Sequence, residues 1–198
     1  MVAVSTSRNA PQPQNVRGTL LISSRTQIVA LGYGDEYDRA LDPLAKSELA
    51  SVIGASWVSM KLAHHHYSAV DSLRIPEALL DECHRKVADR LHGIFLGTAL
   101  RGLKAAGLLS PARALDLVPK IVSRIFDGGI TSVEHVGTNE SKVLFKGNPL
   151  VSHDYFRAAL RNHILTGMEL CSTRPSVREE GRDPVRDAIQ FRVSWLRG

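Results

Sequence analysis

The sequence predicts an α+β protein in which a layer of α-helices packs on an antiparallel β-sheet, with a C-terminal helix followed by a two-stranded ribbon. Three stretches carry that prediction. Residues 152–170, SHDYFRAALRNHILTGMEL, space Tyr155, Phe156, Ala159, Leu160, Ile164 and Met168 three or four apart, so a helix there has one apolar stripe, with Cys171 at its end and Ser152 as its expected cap. Residues 188–195, AIQFRVSW, put Ile189, Phe191, Val193 and Trp195 on one face and Gln190, Arg192 and Ser194 on the other, the pattern of a half-buried antiparallel strand. Residues 130–147 hold two alternating runs, TSVEHVG and KVLFKG, around the turn residues GTNE, which predicts a hairpin.

Taken in order, residues 1–15 are Ser, Asn, Gln and Pro rich and are expected as a disordered tail, leaving residues 16–198 as a single α+β domain. The run VRGTLLI at 16–22 reads as a first strand, and Gly32 and Gly34 interrupt the chain after it. From Ser56 the spacing turns helical, with Trp57, Met60, His64 and Tyr67 expected on one side of a helix reaching about Leu73. Pro76 then opens the longest helix, since its missing N–H has no partner to lose in a first turn. Gly93, Gly97 and Gly102 in its second half predict a close helix contact or a bend. Ser110 and Pro111 start a third helix, which Pro119 kinks or divides and Asp127, Gly128 and Gly129 end. After the C-terminal helix, strands are expected near residues 176–180 and 188–196, joined by a polar, flexible connection, EEGRDPVRD.

Composition narrows the function. Of 198 residues, 25 are Lys or Arg and 20 Asp or Glu, a net charge of +5 spread without any Lys/Arg-rich run, so no nucleic-acid partner is expected. Cys83 and Cys171 stand far apart, which excludes a CxxC metal motif or a disulfide framework and predicts a reducing, cytoplasmic setting. No apolar stretch is long enough to span a membrane, and residues 1–14 lack the apolar core of a secretory signal. No GxSxG, Walker or dinucleotide fingerprint occurs, and no catalytic residue is assigned.

The order of these features resembles a paralogous family of myxobacterial proteins of about this length, and through it the four-vinyl-reductase-type, Bet3-like and haem-NO-binding domains. The residues that carry it are HGIFLGTALRGL in the long helix, SVEHVG and KVLFKG in the hairpin, FRAALRNHILTGMEL with Gly167, and the final FRVSW, covering roughly residues 40–196. The resemblance implies a helical layer on an antiparallel sheet used as a small-molecule sensor or a protein-binding platform, often dimeric. Some such domains bind zinc through a cysteine cluster after the last helix, whereas this chain has only Cys171 there; distant relatives bind haem through a helix histidine.

The most conspicuous polar feature is the triplet His64, His65, His66, whose side chains point about 100° apart on a helix and cannot all face one ion. His64 could face inward and meet His84 or His92 around haem or a metal, against the simpler reading of a satisfied core-edge histidine. Cys83 beside His84 diverges from it on a helix, and His135 and His163 are pocket candidates or satisfied polar groups at the core edge. Arg157, Arg161, Arg174, Arg178, Arg182 and Arg186 recur at near-four spacing and read as a solvated face paired with neighbouring carboxylates. The expectation is a non-enzymatic regulatory domain that binds a small apolar ligand or a protein partner beside the long helix. The candidate lining is Trp57, His64, Tyr67, Ile94, Gly97, Thr98 and Phe156, with no cofactor beyond haem as a special case and no metal site. The alternative is a scaffold or homodimerisation module in which the same glycines allow helix contact and no cavity exists.

Overall fold

The structure, a computed structural model, describes residues 11–95, 102, 105–106 and 109–196, with only the backbone at 94 and 95. β1 (Asn15–Arg17) pairs antiparallel with β2 (Trp57–Ser59), and between them run α1 (Gly18–Ala30), α2 (Gly34–Ala40) and α3 (Pro43–Ala50). The run at 16–22 is therefore helical beyond Arg17, not a strand. Its helical period is hidden in the sequence because buried Leu20, Leu21 and Ile28 are joined on the inner face by two serines, Ser23 and Ser24. Gly18 makes the entry tight: a Cβ there would sit 2.5 Å from Val52 Cγ1 and 2.8 Å from the Ile53 carbonyl oxygen. Residues 14 and 15, expected in the tail, are tied down by Asp127, whose carboxylate accepts from their backbone N–H groups at 2.8 and 2.9 Å.

Ser59 caps α4 (Met60–Ser72) by accepting from the Leu62 N–H at 3.2 Å. Trp57 consequently belongs to β2 rather than to the helix of Tyr67; it is 41% exposed, with the Arg17 guanidinium 4.0 Å above its ring. α5 (Glu77–Phe95) follows Pro76 as expected. A Cβ added at Gly93 or Gly102 would meet nothing within 4 Å, so among the described residues neither glycine has a close helix neighbour; Gly97 lies outside the described residues. The third helix divides at Leu117 into α6 (Pro111–Asp116) and α7 (Val118–Ile125), the break falling just before Pro119.

The sheet is antiparallel in the order β3 (Ile130–Gly137), β4 (Glu140–Lys146), β6 (Ala188–Leu196), β5 (Thr173–Asp183). Its inner face presents Val143, Phe145, Val177, Ile189, Phe191, Val193 and Trp195 to the helices. β5 runs through most of the stretch expected as a flexible connection. Its Glu180, across from β6, accepts from Gln190 Nε2 at 2.6 Å and from Arg192, and pairs with Lys142 at 3.5 Å. The arginines of the last helix are paired too: Arg157 with Asp154 and Glu179, Arg161 with Asp81 and Glu77.

α8 (Asp154–Glu169) crosses this face, preceded by a 3-10 turn at Pro149–Ser152. Its stripe of Tyr155, Phe156, Ala159, Leu160, Ile164 and Met168 is buried, as the spacing predicts. Ser152 does not cap it, because its hydroxyl donates to the Pro149 carbonyl at 2.8 Å. The cap comes from α4: Asp71 accepts from the N–H of Tyr155 at 2.8 Å and of Asp154 at 3.3 Å. Replacing Asp71 by Ala should cost about 1–2 kcal/mol, the loss of a helix cap, against at most about 0.5 kcal/mol for Asp154→Ala, whose exposed carboxylate makes only a surface pair with Arg157; paired urea melts would show the two effects.

Candidate ligand cavity

Between the helical layer and β4 lies a cavity of ≈ 80 Å³. α7 sends Val118, Ile121, Val122 and Ile125 to its wall at a three-to-four spacing, and α8 contributes Phe156, Ala159, Leu160, His163 and Ile164. Leu20, Tyr67, Leu91, His92, Phe126 and Phe145 complete the lining among the described residues. Every lining group is apolar or aromatic except the Tyr67 hydroxyl and two imidazoles.

Those imidazoles are unusual. The ring nitrogens His92 Nδ1 and His163 Nε2 are shielded from solvent and have no hydrogen-bond partner. Burial lowers the pKa of His92, opposed by Asp89 and by a hydrogen bond to the His163 backbone, and pushes that of His163 to about 3, helped by His92 itself. Both rings are neutral at pH 7. The two ring centres lie 6.1 Å apart, and the same pair also borders a second void of ≈ 30 Å³ walled by Ala114, Leu115, Gly167 and Met168.

The other histidines are placed differently. His66 is fully buried in a polar chain that links α2, α4, α1, α8 and α5: Tyr37 Oη to His66 Nδ1 at 2.6 Å, His66 Nε2 to Ser24 Oγ at 3.0 Å, Ser24 Oγ to Tyr155 Oη at 2.9 Å, Tyr155 Oη to Cys83 Sγ at 3.4 Å. One polarity satisfies the whole chain, each group donating to the next and Cys83 accepting last. Burial pushes the His66 pKa to about 3 and raises those of Tyr37, Cys83 and Tyr155. His64 turns the other way, its Nδ1 2.9 Å from His153 Nε2, while His153 Nδ1 lies 3.1 Å from Asp71 Oδ2. The triplet thus diverges as its spacing requires. His135 is satisfied by Ser141 and Asp116, and His84 packs edge-on against Tyr155 at 4.5 Å with neither ring nitrogen partnered.

Of the residues singled out in the sequence, Tyr67 and Phe156 line the cavity. Trp57 and His64 lie elsewhere, the first on β2 and the second in the histidine–aspartate chain, so His64 does not meet His84 or His92. The side chain of Ile94, and Gly97 and Thr98, lie outside the described residues. What the sequence reading left out is the α7 face and the pairing of His92 with His163. The signal was available: His163 is four residues after Ala159 and seven after Phe156, on the apolar stripe itself.

No protein-family model and no curated protein matches the chain. Solved structures do match. The Fe(II) unliganded H-NOX protein from K. algicida superposes with a TM-score of 0.65 at 10% identity, over 92% of this chain and 97% of that one. An H-NOX structure solved to probe haem distortion in that family gives 0.63 at 10% identity, over 90% and 94%. An oxygen-binding H-NOX domain related to soluble guanylate cyclases, in its oxygen complex, gives 0.61 at 10% identity, again over 90% and 94%. The fold is that of the H-NOX domains. The α+β class and the resemblance to haem-NO-binding domains therefore stand.

Because those neighbours are haem proteins, they lend no support to the expectation of a cofactor-free chain, and the cavity must be tested for haem. A haem needs an iron ligand, room for a porphyrin, and partners for two carboxylates. Two unpartnered imidazoles meet the first requirement in kind. The second fails, since ≈ 80 Å³ is well below the roughly 300–1,000 Å³ of ordinary small-molecule sites. So does the third, since no Lys or Arg is among the described lining residues. The described residues that line this cavity do not fit an intact haem. Among the described residues no group of three or more His, Cys, Asp or Glu side chains is placed to hold a metal ion, and no helix is long and apolar enough to cross a membrane.

Proposed function

We propose that this chain is a non-enzymatic regulatory domain whose cavity takes up a compact, uncharged, largely apolar ligand. The observation that supports it is an apolar cavity with two solvent-shielded imidazole nitrogens on one wall and nothing to bond them. Such sites are commonly apolar with a few convergent polar groups. The volume sets the ligand class: about half that of an engineered cavity that takes up benzene and xenon. Ionised organic ligands are disfavoured, because no described wall residue offers a counter-charge. The alternative scaffold reading drew on the glycines of the long helix, and a Cβ added at Gly93 or Gly102 would meet nothing within 4 Å among the described residues. A cytoplasmic setting, and a protein partner or second copy that reads the liganded state, belong to the same proposal.

Filling the cavity tests it. Ala159 faces the space from α8 and is 7% exposed. Ala159→Leu should leave the melting temperature unchanged or raise it, because added methyl groups occupy existing space. Native mass spectra should then show loss of any mass excess over the 21.7 kDa chain. A variant destabilised by several kcal/mol, as in overpacked cores, would mean that the space is not there to fill.

A further inference from the structure

The pairing of His92 with His163 points beyond an apolar ligand. We propose that the two imidazoles form a two-coordinate site for a single soft monovalent metal ion, copper(I) by its chemistry, held between α5 and α8. The inference goes beyond the proposed function and shares with it only this histidine wall.

Four observations carry it. First, His92 Nδ1 and His163 Nε2 are solvent-shielded ring nitrogens without partners, an arrangement that costs stability unless something occupies it. Second, the His163 backbone acts on the His92 ring as an acceptor, and since Nδ1 is the unpartnered nitrogen, Nε2 is the ring nitrogen left to face it. A proton on Nε2, on the side of that acceptor, leaves the lone pair on Nδ1, the tautomer that an outer acceptor selects in a metal-bound histidine. Third, the distance fits. Two metal–nitrogen bonds of about 2.0 Å, plus roughly 1.1 Å from each nitrogen to its ring centre, place two collinear imidazoles about 6.2 Å apart, and the ring centres stand at 6.1 Å.

Fourth, the surroundings select the ion. Among the described residues no carboxylate or thiol lines either void at the pair, and the one further metal-binding group that the ≈ 30 Å³ void brings is the Met168 thioether. Two neutral imidazoles bring no charge of their own, and Asp89, the carboxylate that acts on His92, is not among the lining residues, so a divalent ion such as zinc would bury twice the charge of copper(I) in apolar surroundings. Imidazole suits copper, thioether favours its monovalent state, and a filled d shell accepts linear two-coordination. Neutral rings at pH 7 mean that no proton has to be displaced.

The test is an anaerobic copper(I) titration of the full chain against a colorimetric copper(I) chelator, in a Cys171→Ser background that removes the half-exposed thiol. The expected result is one copper(I) per chain, with X-ray absorption showing two imidazole nitrogens. Affinity should fall at least 100-fold in both His163→Phe and His92→Phe, and zinc should not compete. Thermal melts of the metal-free variants, expected at or above the parent, separate lost ligation from lost fold. Copper(I) binding that is unchanged in both variants would overturn the assignment, as would absent binding or a single water found bridging the two nitrogens after copper addition. Xenon uptake by the parent without copper binding would leave the apolar-ligand reading standing and remove this one; copper without xenon would do the reverse.

Discussion

Ser24→Ala should destabilise the protein by about 2–4 kcal/mol, whereas Ser23→Ala, one residue earlier, should be neutral or stabilising. Both serines are buried on α1. Ser24 is the middle of the buried polar chain, accepting from His66 and donating to Tyr155. Without its hydroxyl, the His66 Nε2–H faces apolar surroundings and Tyr155 loses a donor, each at a cost of about 1–3 kcal/mol. The Ser23 hydroxyl is buried with no partner, so alanine removes an unmet polar group and improves helix propensity. For a chain of this size the Ser24 change corresponds to a fall of about 4–16 °C in Tm. Equal Tm values for the two variants would show that the chain from Tyr37 to Cys83 does not hold the helices together.

The second large effect is acid sensitivity. His66 and His84 are fully buried, and burial depresses their pKa values from 6.5 to about 3 and about 4. Unfolded, both rings take up protons near pH 6.5; folded, they resist until pH 4 or below. The stability they allow is therefore intact above pH 6.5 and is lost as pH falls from there towards 4, because the unfolded state then binds more protons. At about 1.4 kcal/mol per pH unit for each ring, the two together remove about 5 kcal/mol between pH 6.5 and 4.5. His163, with its pKa near 3, acts in the same direction. Against a typical total of about 5–15 kcal/mol, unfolding is expected to set in between about pH 4 and 5. His84→Leu should flatten the acid limb by roughly half of that 5 kcal/mol, and at pH 7 should cost little, since neither ring nitrogen has a partner to lose. Urea midpoints from pH 4.5 to 7.5 for parent and variant would decide it; parallel curves would contradict the account.

Much of this architecture was legible in the sequence where one period dominates. The stripe of α8, the alternation of β6 and the hairpin of β3 and β4 are each set by side chains that bury one face, and all three form as read. Failures occur where a tertiary partner supplies what the local sequence lacks. α1 conceals its helical period because its core face includes serines, intelligible only once His66 and Tyr155 are in place beside Ser24. Ser152 looked like a cap, but Asp71, some eighty residues earlier, takes that role. β5 extends through a charged stretch because β6 opposite offers Arg192 and Gln190 to Glu180. The cavity was half visible, since Tyr67 and Phe156 lie on helical stripes. The meeting of His92 and His163 depends on how α5 crosses α8, which no local pattern encodes.

Xenon titration followed by methyl NMR is the sharpest probe of the cavity, because xenon reports room and apolarity without needing the natural ligand. Saturable shifts are expected, confined to methyl groups on the cavity wall, those of Leu91, Ile121, Val122, Leu160 and Ile164, and lost in Ala159→Leu. Shifts that grow linearly with pressure and spread over the surface, identical in the variant, would show that the space between α5, α7 and α8 takes no ligand.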